Sequence, residues 1–191
     1  MKPLYIKESA SVVLSTGDVP TTPVKSNLNR LMDEVSWLES TETRKECMMA
    51  LKPSSYTYGS GNGVRTYQSV EYNPFVLSIQ NYLNIGESYA YNVCFLNRYD
   101  NEKNHLGWHA DNFVGMDQDH PIAVVSFGAS REIWWRENGH KGPIPLDQRQ
   151  LLGDSSLFIM PPGFQQKYQH KIPKHDKPCG PRISLTFRKF K

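Results

Sequence analysis

With 191 residues the chain is long enough for one domain with a sizeable core and too short for two comfortable ones. Charged residues are 21% and aromatic residues 12%, which is a globular composition, and a net charge of +3 permits a polyanionic partner without demanding one. Three scattered cysteines, Cys47, Cys94 and Cys179, form no CxxC pair and imply no disulfide framework. A reducing, cytoplasmic home is therefore expected, or a nuclear one in a eukaryote. No signal peptide or membrane-spanning run is visible, so no membrane is expected as a partner.

Residues 1 to 21 read as an irregular leader. Thr22 with Pro23 offers a helix start, and Val24, Leu28, Leu31, Met32, Val35 and Leu38 recur at helical spacing, predicting a helix of roughly four turns. Residues 53 to 69, rich in Gly, Ser and Tyr, read as turns and short strands. Asn73 and Pro74 predict a second helix through Phe75, Val76, Ile79, Tyr82 and Leu83. From Tyr89 the pattern changes to strands: 89–99, 122–127, 132–136, 156–160 and 182–190, separated by Gly and Pro turns. The expected design is helices first, then a β core shaped as a barrel or double-sheet jelly roll.

His109 and Asp111 form an H-x-D pair, and in an extended segment residues i and i+2 point the same way. A third ligand must come from elsewhere in the chain. His170, 59 positions after Asp111 and at the start of another expected strand, is the candidate. Two imidazoles and one carboxylate on one face of an ion leave positions open, which suits non-haem iron(II); zinc accepts the same ligands. His105, His120, His140 and His175 have no partner at useful spacing and read as ordinary histidines.

The segment Arg182-Ile183-Ser184-Leu185-Thr186-Phe187-Arg188 alternates strictly. At roughly 3.3 Å per residue the two arginine backbones lie about 20 Å apart, and their side chains can reach inward to bracket a small dicarboxylate. By itself the segment reads better as an ordinary amphipathic strand with a solvated polar face; its position 12 residues after His170 is what brings in the dicarboxylate reading.

Taken in order, these stretches resemble the AlkB family of nucleic-acid dealkylating oxygenases over about the last hundred residues. The resemblance is carried by Asn97-Arg98-Tyr99, by Leu106-Gly107-Trp108-His109-Ala110-Asp111, and by the run from Pro121 to Arg131. It continues through Gly153-Asp154 to Met160, Gln169-His170-Lys171-Ile172-Pro173 and the Arg182–Arg188 segment. It implies an α+β chain: a double-stranded β-helix core over residues 88–191, with N-terminal helices and a substrate lid over 1–87, forming one oxygenase domain across 1–191.

The resemblance further implies His109, Asp111 and His170 as ligands of iron(II), and 2-oxoglutarate and oxygen as cosubstrates. Arg182 and Tyr99 would hold the distal carboxylate of 2-oxoglutarate, with Arg188 and Asn97 near its metal-bound end and Ser184 beside it. Tyr58 and Tyr67 fall where the lid residues lie, and Tyr67 and Trp108 could stack on the substrate base. The implied reaction hydroxylates an N-alkyl group on a nucleic-acid base, single-stranded or flipped out of a duplex, with release of formaldehyde, succinate and carbon dioxide. The enzyme is expected to act as a monomer.

Two positions depart from the family pattern. Phe113 stands where base-repairing members often carry an acid, which leaves the base preference open. Ser184 stands in place of the usual Asn and trims a polar contact near the cosubstrate. Lys167, Lys171, Lys174 and Lys177 fit a nucleic-acid surface or a solvated loop equally. Two other readings remain: a 2-oxoglutarate-dependent hydroxylase or demethylase of a protein or small molecule, and a non-catalytic binding module of the same fold.

Overall fold

The computed structural model describes residues 4–6, 26–41, 43–58, 64–85, 90–111 and 115–191, with backbone alone at 4–6, 39–41 and 58. In chain order these form β1 (Leu4–Ile6), α1 (Asn27–Glu34), β2 (Leu38–Thr41), β3 (Arg44–Ala50), β4 (Ser55–Tyr58) and β5 (Arg65–Gln68). Then come α2 (Pro74–Asn84), β6 (Val93–Tyr99), β7 (Leu106–His109), β8 (Ile122–Gly128), β9 (Arg131–Glu137) and β10 (Arg149–Leu152). The chain ends with β11 (Ser156–Met160), a short helix α3 (Phe164–Lys167), β12 (Tyr168–Ile172) and β13 (Arg182–Arg188).

The first helix is shorter than its periodicity suggests. Ser26 caps it, its hydroxyl accepting the Asn29 N–H at 3.3 Å, and Leu38 belongs to β2 with its side chain half exposed. Thr22, Pro23 and Val24 lie outside the described residues. The second helix starts as expected: the Asn73 side chain accepts the N–H groups of Phe75 at 2.9 Å and Val76 at 3.4 Å, and Pro74 occupies the first turn where no donor is needed.

Two sheets face each other. The larger runs β1-β11-β8-β13-β6-β3-β2 and the smaller β10-β9-β12-β7, while β4 and β5 make a separate hairpin. This antiparallel jelly roll with flanking helices is the expected fold class. The expected order of helices first and β core second is corrected by β3, which pairs with β6 inside the larger sheet, Met48 opposite Phe95 and Glu46 opposite Asn97. Arg44-Lys45-Glu46 opens β3 with three charges and gives little intrinsic strand signal; its neighbours in the sheet supply the preference.

Strand β13 is buried along its whole length. Ile183, Leu185 and Phe187 pack with Leu31 of α1 and with Val76 and Ile79 of α2, on the outer side of the larger sheet. Each such side chain contributes about 1.5–3 kcal/mol by leaving water. The opposite face, Arg182, Ser184, Thr186 and Arg188, looks into the space between the sheets. Around that space a second apolar cluster includes Met48, Phe95, Val124, Ile133, Trp135 and Met160.

The turn from β8 to β9 depends on Gly128, at φ +89°, with its N–H donated to Asp154 Oδ1 at 2.7 Å. A Cβ there would lie 2.4 Å from the carbonyl oxygen of Pro181, and a backbone atom cannot step aside. Gly128→Ala is expected to destabilise the protein by about 2 kcal/mol or more, read from urea unfolding.

Candidate active site

Strand β7 ends on His109, Asp111 follows two residues later, and antiparallel β12 sets His170 directly opposite His109. The three side chains are buried, and their ligand atoms all lie within 4.8 Å of one another. The imidazole centroids are 4.1 Å apart, and His109 Nε2 lies 3.6 Å from Asp111 Oδ1. His109 Nδ1 sits 2.8 Å from the Gly107 carbonyl oxygen, which can only accept. The proton is therefore assigned to Nδ1, and Nε2 presents its lone pair to the cluster.

The protonation states suit a cation. Burial pushes both histidines down, His170 to about 3 with His109 as the second cause, so both imidazoles are neutral near pH 7. Burial alone would raise the Asp111 carboxyl. Arg188, then His170 and His109, more than offset that and hold it below the usual carboxylate range. Arg188 Nη2 donates to Asp111 Oδ2 at 2.8 Å, and the Asp111 N–H is taken by Gln165 Oε1 at 2.8 Å. Two neutral imidazoles and an ionised carboxylate are three lone-pair donors already in ligating form, and could hold one metal ion with positions left open.

Next to this cluster a cavity is lined by the polar face of β13, by Asn97 and Tyr99 of β6, and by Ile133, Met160 and Ile172. Arg182 is fully buried there, with its guanidinium 5.4 Å from the Tyr99 ring centroid. Nη2 donates to Ser126 Oγ at 2.9 Å, whereas Nε and Nη1 have no hydrogen-bond partner among the described residues. Burial draws its pKa down to about 10, against the opposing pull of Tyr99. Arg131, on the same Tyr99 ring at 5.6 Å, differs: it donates to the carbonyls of Asn101, Asn104 and Pro173. A buried cation with two idle donors is costly unless an anion joins it. The planar fork of Arg182 fits a carboxylate, so the cavity suits a small dicarboxylate reaching from metal to guanidinium.

A second, adjoining pocket shares Asn97, Leu106, His109, Asp111 and Arg188 with the first and is lined besides by Arg44, Glu46, Tyr56 and Phe95. Arg44 Nε donates to Asn97 Oδ1 at 2.8 Å and its Nη2 pairs with buried Glu46. Tyr67 of β5 donates to Glu46 Oε2 at 2.8 Å, tying the β4–β5 hairpin to the larger sheet. The Tyr67 ring lies edge-on to Phe95 at 4.9 Å, behind the pocket, and Tyr56 is the hairpin aromatic that lines it.

Sequence reasoning thus placed the triad, Asn97, Tyr99, Arg182, Ser184 and Arg188 together around one space, and missed Arg44, Glu46 and Tyr56. Tyr56 was visible in the Tyr-rich stretch; Arg44 and Glu46 carried no signal because β3 itself was unread. Trp108 lies apart from this space. As the neighbour of inward-facing His109 it points outward, between Arg136 at 4.2 Å and Lys171 at 4.8 Å, and does not reach the pocket. Phe113 and the Tyr58 side chain lie outside the described residues.

Residues 13–188 match the model of the 2OG-Fe(II) oxygenase superfamily. The chain belongs to that superfamily, and it is similar to curated AlkB homologues within it. It is 29% identical to alpha-ketoglutarate-dependent dioxygenase alkB homolog 3 of Bos taurus, over 93% of this chain and 65% of that protein. The human protein of the same name is 28% identical, again over 93% and 65%. DNA oxidative demethylase ALKBH2 of Homo sapiens is 29% identical over 70% of this chain and 55% of its own length. The chain thus spans less than two thirds of these relatives. Membership implies iron(II), 2-oxoglutarate and oxygen, and the donor set of the triad and the idle donors of Arg182 fit the first two.

A pH dependence follows for the metal-free protein. His170 titrates near 3 folded and near 6.5 unfolded, so between those values the unfolded chain holds the extra proton. Stability is then lost as pH falls from 6.5 toward 3, and depressed His109 acts in the same direction. His170→Gln should flatten the fall in unfolding midpoint across that window by up to about 1 kcal/mol per pH unit; an unchanged slope in urea titrations would contradict the assignment.

Proposed function

We propose that this protein is an oxidative dealkylase of nucleic-acid bases. The observation that carries the reading is the buried His109–Asp111–His170 cluster, which contributes residues to two adjoining and unlike pockets. One ends on the under-bonded cation Arg182; the other is lined by Tyr56, Arg44 and Glu46. The relative ALKBH2 is a DNA oxidative demethylase by name, which supports a nucleic-acid substrate.

In this reading His109, Asp111 and His170 hold iron(II), and Arg182, stacked on Tyr99 and steadied by Ser126, takes the distal carboxylate of 2-oxoglutarate. Iron with 2-oxoglutarate and oxygen supplies an oxidant that hydroxylates the alkyl carbon, with succinate and carbon dioxide formed. The hydroxylated alkyl group then leaves as formaldehyde and the base is restored. The residues orient and exclude water. Arg188 keeps Asp111 ionised and aimed, and Gln165 fixes its backbone. The β4–β5 hairpin closes over the base as a lid, with Tyr56 beside the ring. A base reaches such a pocket only unstacked, so the substrate is single-stranded or flipped out. The chain acts as one oxygenase domain and as a monomer; its three free cysteines suit a reducing compartment. No described helix is long and apolar enough to cross a membrane.

The decisive experiment is nucleoside mass spectrometry after incubation with iron(II), 2-oxoglutarate and methylated single-stranded DNA or RNA. Loss of one methylated base that depends on 2-oxoglutarate is expected. Succinate formation without loss of any methyl base would move the substrate to a protein or small molecule. His109→Ala and Asp111→Ala should retain the fold by circular dichroism and lose at least about a thousandfold in turnover, roughly 4 kcal/mol of barrier.

Arg182→Met should leave the thermal midpoint of the metal-free protein unchanged or higher, because a buried, poorly paired charge is gone. With metal bound, 2-oxoglutarate at about a hundred times its Kd should stabilise the wild type by about 2.7 kcal/mol and the variant by far less. Equal shifts in both would remove Arg182 from the cosubstrate site.

A further inference from the structure

The outer face of the smaller sheet carries an alternating row of cations and indoles. Arg149 of β10 lies 4.3 Å from the Trp134 ring centroid of β9, and Lys171 of β12 covers the same ring at 4.4 Å. Lys171 is also 4.8 Å from Trp108 of β7, whose ring Arg136 of β9 covers at 4.2 Å. The row reads Arg149–Trp134–Lys171–Trp108–Arg136 and crosses all four strands. Register places it there: Arg149 and Lys171 both stand directly opposite Trp134, one on each side.

An ordinary solvated sheet face sets opposite charges across from one another, since like charges held together repel. Here three cations share two rings. Glu132, an acid on the same face of β9, is turned to Trp134, accepting its indole N–H at 2.7 Å. Cation–ring contact is worth only about 0.5–1 kcal/mol at exposed sites and leaves the positive charge outward. Next to Trp134 the surface continues into a groove holding Lys174 and Lys177, opposed by Glu132 and Asp176. Position matters too: Trp108 and Lys171 are chain neighbours of His109 and His170, and β7 is the edge strand of its sheet. The row therefore runs across the back of the metal-cluster sheet to its edge.

We propose that this ladder binds the sugar–phosphate backbone of the single-stranded nucleic acid whose alkylated base occupies the pocket. The inference rests on the nucleic-acid reading above and adds a binding surface outside the pocket. Phosphates would meet Arg149, Lys171 and Arg136, with Trp134 and Trp108 holding those cations in place and presenting ring surface to sugar or base. Such a surface gives affinity without sequence preference and weakens with salt.

The test compares wild type with the triple variant Arg136→Gln, Arg149→Gln, Lys171→Gln, and with Arg136→Lys, Arg149→Lys, Lys171→Arg, which keeps the charges. Binding of a labelled, unmethylated single strand of about twenty nucleotides, longer than a typical single-module site, is followed by fluorescence anisotropy at several salt concentrations. Neutralising three phosphate contacts should weaken binding at least about tenfold at low salt and lower the log–log salt slope by about 2. The charge-keeping variant should retain the wild-type slope. Turnover of a methylated trinucleotide should be equal in all three proteins, which also shows that each is folded. A neutral variant with wild-type affinity and slope, in an enzyme that does demethylate nucleic acid, overturns the ladder and leaves the proposed function standing. A wild type that neither binds the strand nor demethylates any nucleic acid overturns both.

Discussion

Burial of both faces of β13 is the constraint on which the rest turns. A strand with one wet face could leave Arg182 and Arg188 in water, at no electrostatic cost. Here the second sheet covers that face, so each guanidinium must find a partner. Arg188 finds Asp111, and the pair fixes a carboxylate beside two imidazoles. Among the described residues Arg182 meets Ser126 and the Tyr99 side chain, with Nε and Nη1 lacking a hydrogen-bond partner. The same act of packing sets the metal-ready cluster and a buried cation around one space.

The metal cluster is shaped as much by protonation as by position. Dehydration keeps the two imidazoles neutral, and the Arg188 guanidinium keeps Asp111 ionised against the same dehydration. Opposite effects of one environment on an acid and on two bases leave all three as donors. The β7–β12 pairing supplies the geometry, because antiparallel register puts His170 across from His109 whatever the 58 residues between Asp111 and His170 do.

The hairpin β4–β5 is joined to this centre by polar links as well as by packing. Glu46 receives Tyr67 from the hairpin and Arg44 from its own strand, and Arg44 passes the connection to Asn97. The position of the hairpin is thereby tied to residues that line the pocket beside His109 and Asp111. On the opposite side of the smaller sheet, Trp108 and Lys171 show how one short strand serves two surfaces: each alternates with a residue of the triad.

Spacing and alternation were local enough to read directly. The H-x-D pair, the strict alternation of 182–188, the capped start of α2 and the approximate positions of five core strands depend on near neighbours. Their joint order pointed to the superfamily before any contact was seen. What only the tertiary structure decided was non-local. Strand β3 forms because β6 is beside it, so Arg44 and Glu46 came into the pocket unannounced. Trp108 faces away because its neighbour His109 must face in, and an H-x-D motif alone does not say which side is inward. Whether the polar face of β13 is wet or buried is likewise invisible in its alternation. It is settled by the second sheet closing over it, and with it the need of Arg182 for an anion.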